Sequence, residues 1–262
     1  MEVAAVLEYI EANLEADLTL DGLARRARMS AYHFHRRFHE EVGEPPMRYV
    51  RRLRLEAAAV RLKLSQRSVT NVALDAGYAT HEGFTRAFHT RFGTAPQSFR
   101  AAHGAAALPP GFAPRIVSLP PRRIAFLRYV GPYDASAAAF AWLAAWAAAR
   151  GALGDAMLGL YYDDQDITAP ERTRCDVALI VEAHTEGDGE VKLRDLRGGD
   201  YAVIPQAGLT SERRHFYEVA FRTWLPSIRR RPSRAPCFER YALRDGTADQ
   251  SASEIHIPLH RR

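Results

Sequence analysis

Cysteine is scarce: the 262-residue chain has two, Cys175 and Cys237, in neither a C-x-x-C pair nor a zinc spacing. That leaves no basis for a disulfide scaffold or a thiolate zinc site, and a reduced, cytoplasmic setting is the simple expectation. Long apolar runs are also lacking. The most apolar stretch, Ala135 to Ala149, is Ala-rich and shorter than the roughly 20 residues a membrane span needs. The N-terminal MEVAAVLEYIEANLEAD is acidic and amphipathic, unlike a signal peptide. Missing too are a phosphate-binding glycine loop, an H-E-x-x-H pair and any nucleophile–base pair recognisable from spacing, so no cofactor is expected. His35 and His39, four apart with Glu40 adjacent, could serve a zinc ion, but no third ligand is placed to complete the set. With 47% apolar and 26% charged residues, disordered and fibrous classes are excluded.

Positive charge is absent where the chain begins and abundant soon after. Residues 1–21 hold six acids and no Lys or Arg, whereas residues 25–67 hold twelve basic residues against four acids. Such a concentration of positive potential suits a polyanionic partner. The length allows two domains, each with its own core.

The stretch from Ser68 to Arg100 reads as helix, glycine turn, helix and Phe-Gly-x-x-Pro stop. Ser68 is a plausible N-cap for a helix packing Val72, Ala73 and Ala76, and Gly77 suits its left-handed end. Thr80 caps a second helix whose Phe84, Ala87, Phe88 and Phe92 form an apolar stripe. His81, Glu82, Thr85 and Arg86 are left on the other face, a shape suited to reading DNA. A shift of fifty finds the same pattern upstream: Phe34, Arg36, Phe38, His39, Gly43 and Pro46 fall on Phe84, Arg86, Phe88, His89, Gly93 and Pro96. Thr19 and Ser30 cap that copy, and a first helix from about Glu2 to Glu15 buries Val6, Leu7, Ile10 and Leu14. Between the copies, Pro46 to about Ser65 forms a rod of roughly 28–30 Å. Major-groove faces on one side of a duplex lie about 34 Å apart, so one chain can reach two. Two irregularities stand out: Gly83 lies inside the second reading helix, and Arg28 stands where the second turn has Gly77.

Residues 1–103 resemble the DNA-binding domain of AraC/XylS-type transcription regulators. The likeness is carried by Val72-Ala73, Gly77-Tyr78, Phe84, Arg86-Ala87-Phe88, Phe92-Gly93, Pro96 and Phe99-Arg100. The resemblance implies seven helices, two recognition helices in adjacent major grooves of double-stranded DNA, and action through RNA polymerase. Carried over by position, it implies base-reading roles for Tyr32, His35 and Arg36 in the first helix and for His81, Glu82, Thr85 and Arg86 in the second. Arg can bond guanine bidentately, Glu accepts from cytosine, and Tyr and Thr carbons can touch thymine. Arg37, Arg51, Arg52 and Arg91 are better suited to phosphate.

Residues 104–114 are an Ala-, Gly- and Pro-rich linker. The remainder, 115–262, reads as two strand–helix–strand–strand units preceded by the strand Arg115–Leu119. The first unit has Ile124–Val130, a helix capped by Asp134 or Ser136, Leu158–Tyr162 and Cys175–Val181. The second has Tyr201–Ala207, a helix capped by Thr210 or Ser211, Phe238–Leu243 and Glu254–Leu259. Aligning Tyr162 with Tyr241 and Asp176 with Glu254 implies one antiparallel sheet, helices on a single face and a pseudo-twofold groove. The predicted architecture is thus an all-α domain with two helix-turn-helix motifs joined by a long helix, then an α+β domain of duplicated β-α-β-β units.

This second half resembles the GyrI-like small-molecule domain, through Gly131-Pro132-Tyr133, Tyr162-Asp163-Asp164, Gly198 to Val203, Trp224-Leu225-Pro226, Phe238 to Tyr241 and Glu254 to Pro258. The resemblance implies a groove for amphipathic, often cationic or aromatic molecules, built from a carboxylate and aromatic rings. Glu254 is the expected carboxylate, with Tyr241, Trp224, Tyr162, Tyr217 and Phe238 as candidate walls. The sum is a ligand-responsive transcription regulator rather than an enzyme. Two alternatives stay open: a hydrolase using Glu254 as general base, and a constitutive activator without a ligand.

Overall fold

A computed structural model describes residues 3–103, 108–207, 213–233, 235–244 and 247–260. The proposed caps Thr210 and Ser211, and the helix start at Glu2, lie outside them. The chain divides into two units, Met1–Gly104 and Ala105–Arg262.

The first unit is helical: α1 (Val3–Ala12), α2 (Leu20–Ala27), α3 (Ala31–Val42), α4 (Pro46–Leu64), α5 (Val69–Asp75), α6 (His81–Phe92) and α7 (Pro96–Ala102). Polar caps start four of them. Thr19, Ser30, Ser68 and Thr80 each accept a hydrogen bond from the backbone N–H three residues on. Gly43 and Gly93 end α3 and α6 in the left-handed conformation. Arg28 takes that conformation too, at φ 59°, and Met29 N–H reaches back to the Ala24 carbonyl as Tyr78 N–H does to Ala73. Both turns are therefore equally tight, and the first carries the strain of a non-glycine residue. Gly83 falls in the first turn of α6, where its N–H serves the Thr80 cap and a Cβ would stand 3.0 Å from Thr80 Oγ1. Phe34 and Phe38 pack with Leu23, Tyr49, Val50 and Leu53 in one core, while Phe84 and Phe88 are equally buried in the second motif. The 19 residues of α4 touch both and span about 28 Å.

The second unit is an eight-stranded sheet in which every pairing is antiparallel, ordered β1-β6-β8-β7-β3-β4-β2-β5. The strands are β1 (Arg115–Leu119), β2 (Arg122–Val130), β3 (Ala156–Tyr161), β4 (Arg174–Ile180), β5 (Lys192–Leu196), β6 (Gly199–Ala207), β7 (Cys237–Arg244) and β8 (Thr247–Pro258). Edge strand β5 is an addition to the sequence reading; its KLRDL shows little apolar alternation because it is half solvated. Helix α8 (Ala137–Ala148) packs Phe140, Leu143 and Trp146 on Met157, Val177 and Tyr241. Ser136 does not cap it; its hydroxyl donates to the Tyr133 carbonyl at 2.6 Å. Helix α9 (Arg213–Val219) continues through a π-helical segment, Ala220–Trp224, to Ser227 and covers Ala202, Ile204, Ile255 and Ile257. The opposite face buries Ile124, Phe126, Leu158, Leu160, Tyr201 and Phe238. Val117 and Leu119 of β1 and Leu196 of β5, from opposite sheet edges, pack on this one core, so the sheet curls.

Candidate nucleic-acid interface and effector site

The caps of α3 and α6 turn Phe34 and Phe38, or Phe84 and Phe88, inward, so helical periodicity leaves the intervening polar residues outside. Tyr32, His35, Arg36 and Arg37 are exposed on α3, Tyr32 by 80%. Arg36 and Arg37 make weak i,i+4 pairs with Glu40 and Glu41, which a phosphate or base edge can replace. On α6, His81, Glu82 and Arg86 are exposed. Thr85 is half-buried, and its hydroxyl oxygen is buried without a partner among the described residues, so it points away from the open face.

Two of the expected phosphate contacts are otherwise engaged. Arg52 is only 11% exposed and binds Glu44 with two nitrogens, at 2.8 and 2.6 Å, and Glu56 at 3.1 Å. Glu56, almost fully buried in α4, also accepts from Arg91 of α6 at 3.0 Å. The structure places Arg52, expected at phosphate, between two buried carboxylates rather than on the open face. The chain Glu44–Arg52–Glu56–Arg91 instead ties the exit of α3 to α6 across the connecting helix. Arg51, by contrast, is exposed beside Met47, Gly77 and Tyr78.

In the second unit, strand alternation decides what faces what. In the pairing of β3 with β7, Gly159 lies opposite Glu239 and Met157 opposite Tyr241. That pairing puts Tyr161, not Tyr162, on the same face as Tyr241. Their hydroxyls meet at 2.7 Å. The one-residue slip in the alignment of Tyr162 with Tyr241 moves a side chain to the other face of the sheet. Glu239 and Tyr241 share the helix-covered face. The Tyr241 hydroxyl donates to Glu239 Oε2 at 2.6 Å, and Tyr217 of α9 reaches Oε1 at 3.4 Å. Arg213, the first residue of α9, places Nη1 3.1 Å from both Glu239 Oε2 and the Tyr241 oxygen. Phe140 and Tyr133 add rings, edge-on to Tyr241 and tilted at 4.8 Å from Tyr161. Burial holds the Glu239 carboxyl above the usual glutamate range, against the pull of Arg213 and the two tyrosines. Burial raises Tyr217 and Tyr241 as well, keeping both phenols protonated donors. The result is a buried carboxylate ringed by phenols.

The remaining expected effector residues do not gather there. Glu254 pairs across the sheet with Arg240, opposite in phase to Tyr241, and its carboxylate binds Arg115 at 2.5 Å. It lines a cavity of about 430 Å³ with Pro110, Phe216 and Ser253, into which none of the five expected aromatic walls projects. Phe238 stacks on His256 at 4.4 Å on the helix-free face. Tyr162 donates to buried Asp176 at 2.6 Å and accepts from Arg194 at 2.7 Å; Arg128 also binds Asp176. Trp224 packs with Phe112 in the core under α9. Of the six expected residues, only Tyr241 and Tyr217 meet, and the carboxylate between them is Glu239. Glu254, expected among them, faces the other side of the sheet from Glu239 and Tyr241, as the period of two along a strand requires. Burial pushes the Cys175 and Cys237 thiols up to about 12, so neither is a reactive thiolate. Among the described residues, no group of three or more His, Cys, Asp or Glu could hold a metal ion, and no helix is long and apolar enough to cross a membrane.

Comparison with known proteins bears on both units. A family model described as a helix-turn-helix domain matches residues 23–102, and one for the GyrI-like small molecule binding domain matches residues 112–260. The chain belongs to the GyrI-like family and carries an AraC-type helix-turn-helix domain at its N-terminal side. It is 35% identical over 153 residues to a DNA gyrase inhibitor of Edwardsiella ictaluri, a match covering 56% of this chain and 97% of the relative. It is 29% identical over 102 residues to the regulatory protein SoxS of Salmonella typhimurium, covering 37% and 92%. It is 45% identical over 80 residues to the HTH-type transcriptional regulator Rv1931c of Mycobacterium tuberculosis, covering 30% of this chain and 31% of that regulator. For this GyrI-like chain, the buried carboxylate between Tyr241 and Tyr217 that sequence reasoning passed over is Glu239. The signal was available: in Phe238-Glu239-Arg240-Tyr241, alternation puts Glu239 on the side of Tyr241 and Phe238 on the other.

Proposed function

We propose that this AraC-type, GyrI-like protein is a ligand-responsive transcription regulator, reading two adjacent major grooves with α3 and α6 and sensing a small amphipathic molecule at the Glu239 cluster. The observation that carries the reading is the pairing of two equivalent reading helices, tied by the Glu44–Arg52–Glu56–Arg91 chain, with a buried carboxylate among phenols. Arg36 and Arg86 occupy equivalent exposed positions and are the bidentate donors to guanine, with Tyr32, His35, His81 and Glu82 beside them. Arg37 and Arg51 contact phosphate. Binding of an effector shifts affinity for the operator, and promoter output follows through contact with RNA polymerase. The test measures operator affinity with and without bound effector. Glu239→Gln abolishes the effector response and leaves effector-free DNA binding unchanged; an unaltered response sinks the site assignment. We read Glu239 as a binder rather than a catalytic base, because Arg213 and two phenols already hold its oxygens. Turnover of an electrophilic amphipathic compound, lost in Glu239→Gln, would reverse that reading.

A second reading rests on one finding, the match to nearly the whole of a DNA gyrase inhibitor. On that reading the GyrI-like half also restrains gyrase. Inhibition of gyrase supercoiling by the full chain supports it, and unchanged supercoiling at a large excess of the chain removes it.

A further inference from the structure

The cluster around Glu239 already holds a cation of the protein's own. Arg213 sits 3.1 Å from Glu239 Oε2, and its guanidinium carbon lies 5.3 Å from the centroid of the Tyr241 ring. A carboxylate beside an aromatic face is what a bound organic cation uses. Arg213 is 8% exposed and Glu239 4%, so the pair is shielded from water and neutral as a whole. A second cation arriving at the same carboxylate meets a like charge already in contact with it. The phenol of Tyr241 is shared as well, since it lies 3.1 Å from Arg213 Nη1 and donates to Glu239.

We propose that Arg213 is a built-in occupant of the cation seat: a cationic effector binds the Glu239–Tyr241 cluster only by displacing the Arg213 guanidinium, so Arg213 decides which ligand charge the domain accepts. The inference rests on the cluster being the effector site. It also names the element that moves. Arg213 opens α9, whose Phe216, Val219 and Ala220 are buried. Displacing its side chain acts directly on the described start of α9.

The test uses the full chain and two flat probes of nearly equal shape, N-methylacridinium, a permanent cation, and acridine, neutral at pH 8. Fluorescence titration gives both affinities. The wild type binds acridine at least tenfold more tightly than N-methylacridinium. Arg213→Met gains at least tenfold for the cation, and adding Glu239→Gln to that variant removes the gain. If Arg213→Met gains nothing while Glu239→Gln weakens binding of either probe, the cluster is the site and the role of Arg213 is overturned. If Glu239→Gln changes neither probe in any background, the site assignment itself fails and takes the inference with it. Should Arg213→Met not fold, Arg213→Gln removes the charge and keeps a polar side chain for the Glu239 and Tyr241 oxygens. A gain of about threefold for the cation is then expected, and no gain overturns the proposal.

Discussion

Replacing Glu56 by Ala asks whether the ionic chain across α4 holds the two reading motifs together. Glu56 is 3% exposed and accepts from Arg52 at 3.1 Å and Arg91 at 3.0 Å. Removing one partner of a buried ion pair costs about 3–5 kcal/mol when the other charge is stranded. Here neither arginine is fully stranded. Arg52 keeps two bonds to Glu44, and Arg91, 35% exposed, can turn to water. The expected loss for Glu56→Ala is therefore smaller, about 2 kcal/mol. Arg52→Met takes away the guanidinium that bridges the buried carboxylates of Glu44 and Glu56, and should cost about 4 kcal/mol. Urea unfolding followed by far-ultraviolet circular dichroism measures both. The three tryptophans, Trp142, Trp146 and Trp224, all lie in the second unit. Tryptophan fluorescence therefore serves as an internal control and its transition should stay in place. A loss under 1 kcal/mol for Glu56→Ala, or a larger loss there than for Arg52→Met, would refute the reasoning.

Other outcomes follow from single positions. Arg28→Gly relieves a left-handed residue at φ 59° and should stabilise the first unit by about 0.5–1 kcal/mol in urea unfolding, after the entropy a glycine adds to the unfolded chain. Gly159→Ala would set a Cβ 2.7–2.9 Å from the hydroxyl oxygen and two ring carbons of Tyr161, breaking its hydroxyl contact with Tyr241. A loss of about 1–3 kcal/mol and weaker effector binding are expected from unfolding and titration. His256 is held neutral, chiefly by burial, with its pKa below the ordinary histidine value. The stability tied to this depression is present above the ordinary histidine value and lost as the pH falls through the lowered folded one, so His256→Gln should flatten the acid side of the stability profile measured by urea unfolding. Arg36→Ala should cost about 1–3 kcal/mol of discrimination at one base pair. Arg52→Gln should leave the salt slope of DNA binding unchanged, whereas a phosphate contact would lower it by about one.

The helical half was legible because each of its signals is local. A cap residue, a phenylalanine stripe and a terminal glycine recur within a dozen residues, and the fifty-residue shift repeats them. What sequence could not supply was the partner of each arginine. Arg51 and Arg52 are neighbours, but 100° of helical rotation puts one in solvent and the other between Glu44 and Glu56. The sheet half was legible in order and class and not in phase. An error of one residue in matching its repeats paired Tyr162 with Tyr241, and Glu254, drawn from the family resemblance, faces the other side of the sheet from Glu239. The pairing of Glu254 with Arg115 spans 139 residues and depends on β6 holding β1 and β8 on its two sides, which no local pattern encodes. The same holds for Arg213, whose role depends on where α9 lands.

The central claim is that one chain reads two successive major grooves, and selection of bound duplexes from a random pool by the full-length protein tests it most directly. The account predicts two conserved elements centred about 10–10.5 base pairs apart. It also predicts that Arg36→Ala blurs only one element and Arg86→Ala only the other. Recovery of duplexes with no shared sequence, or of a single element insensitive to both substitutions, would contradict it.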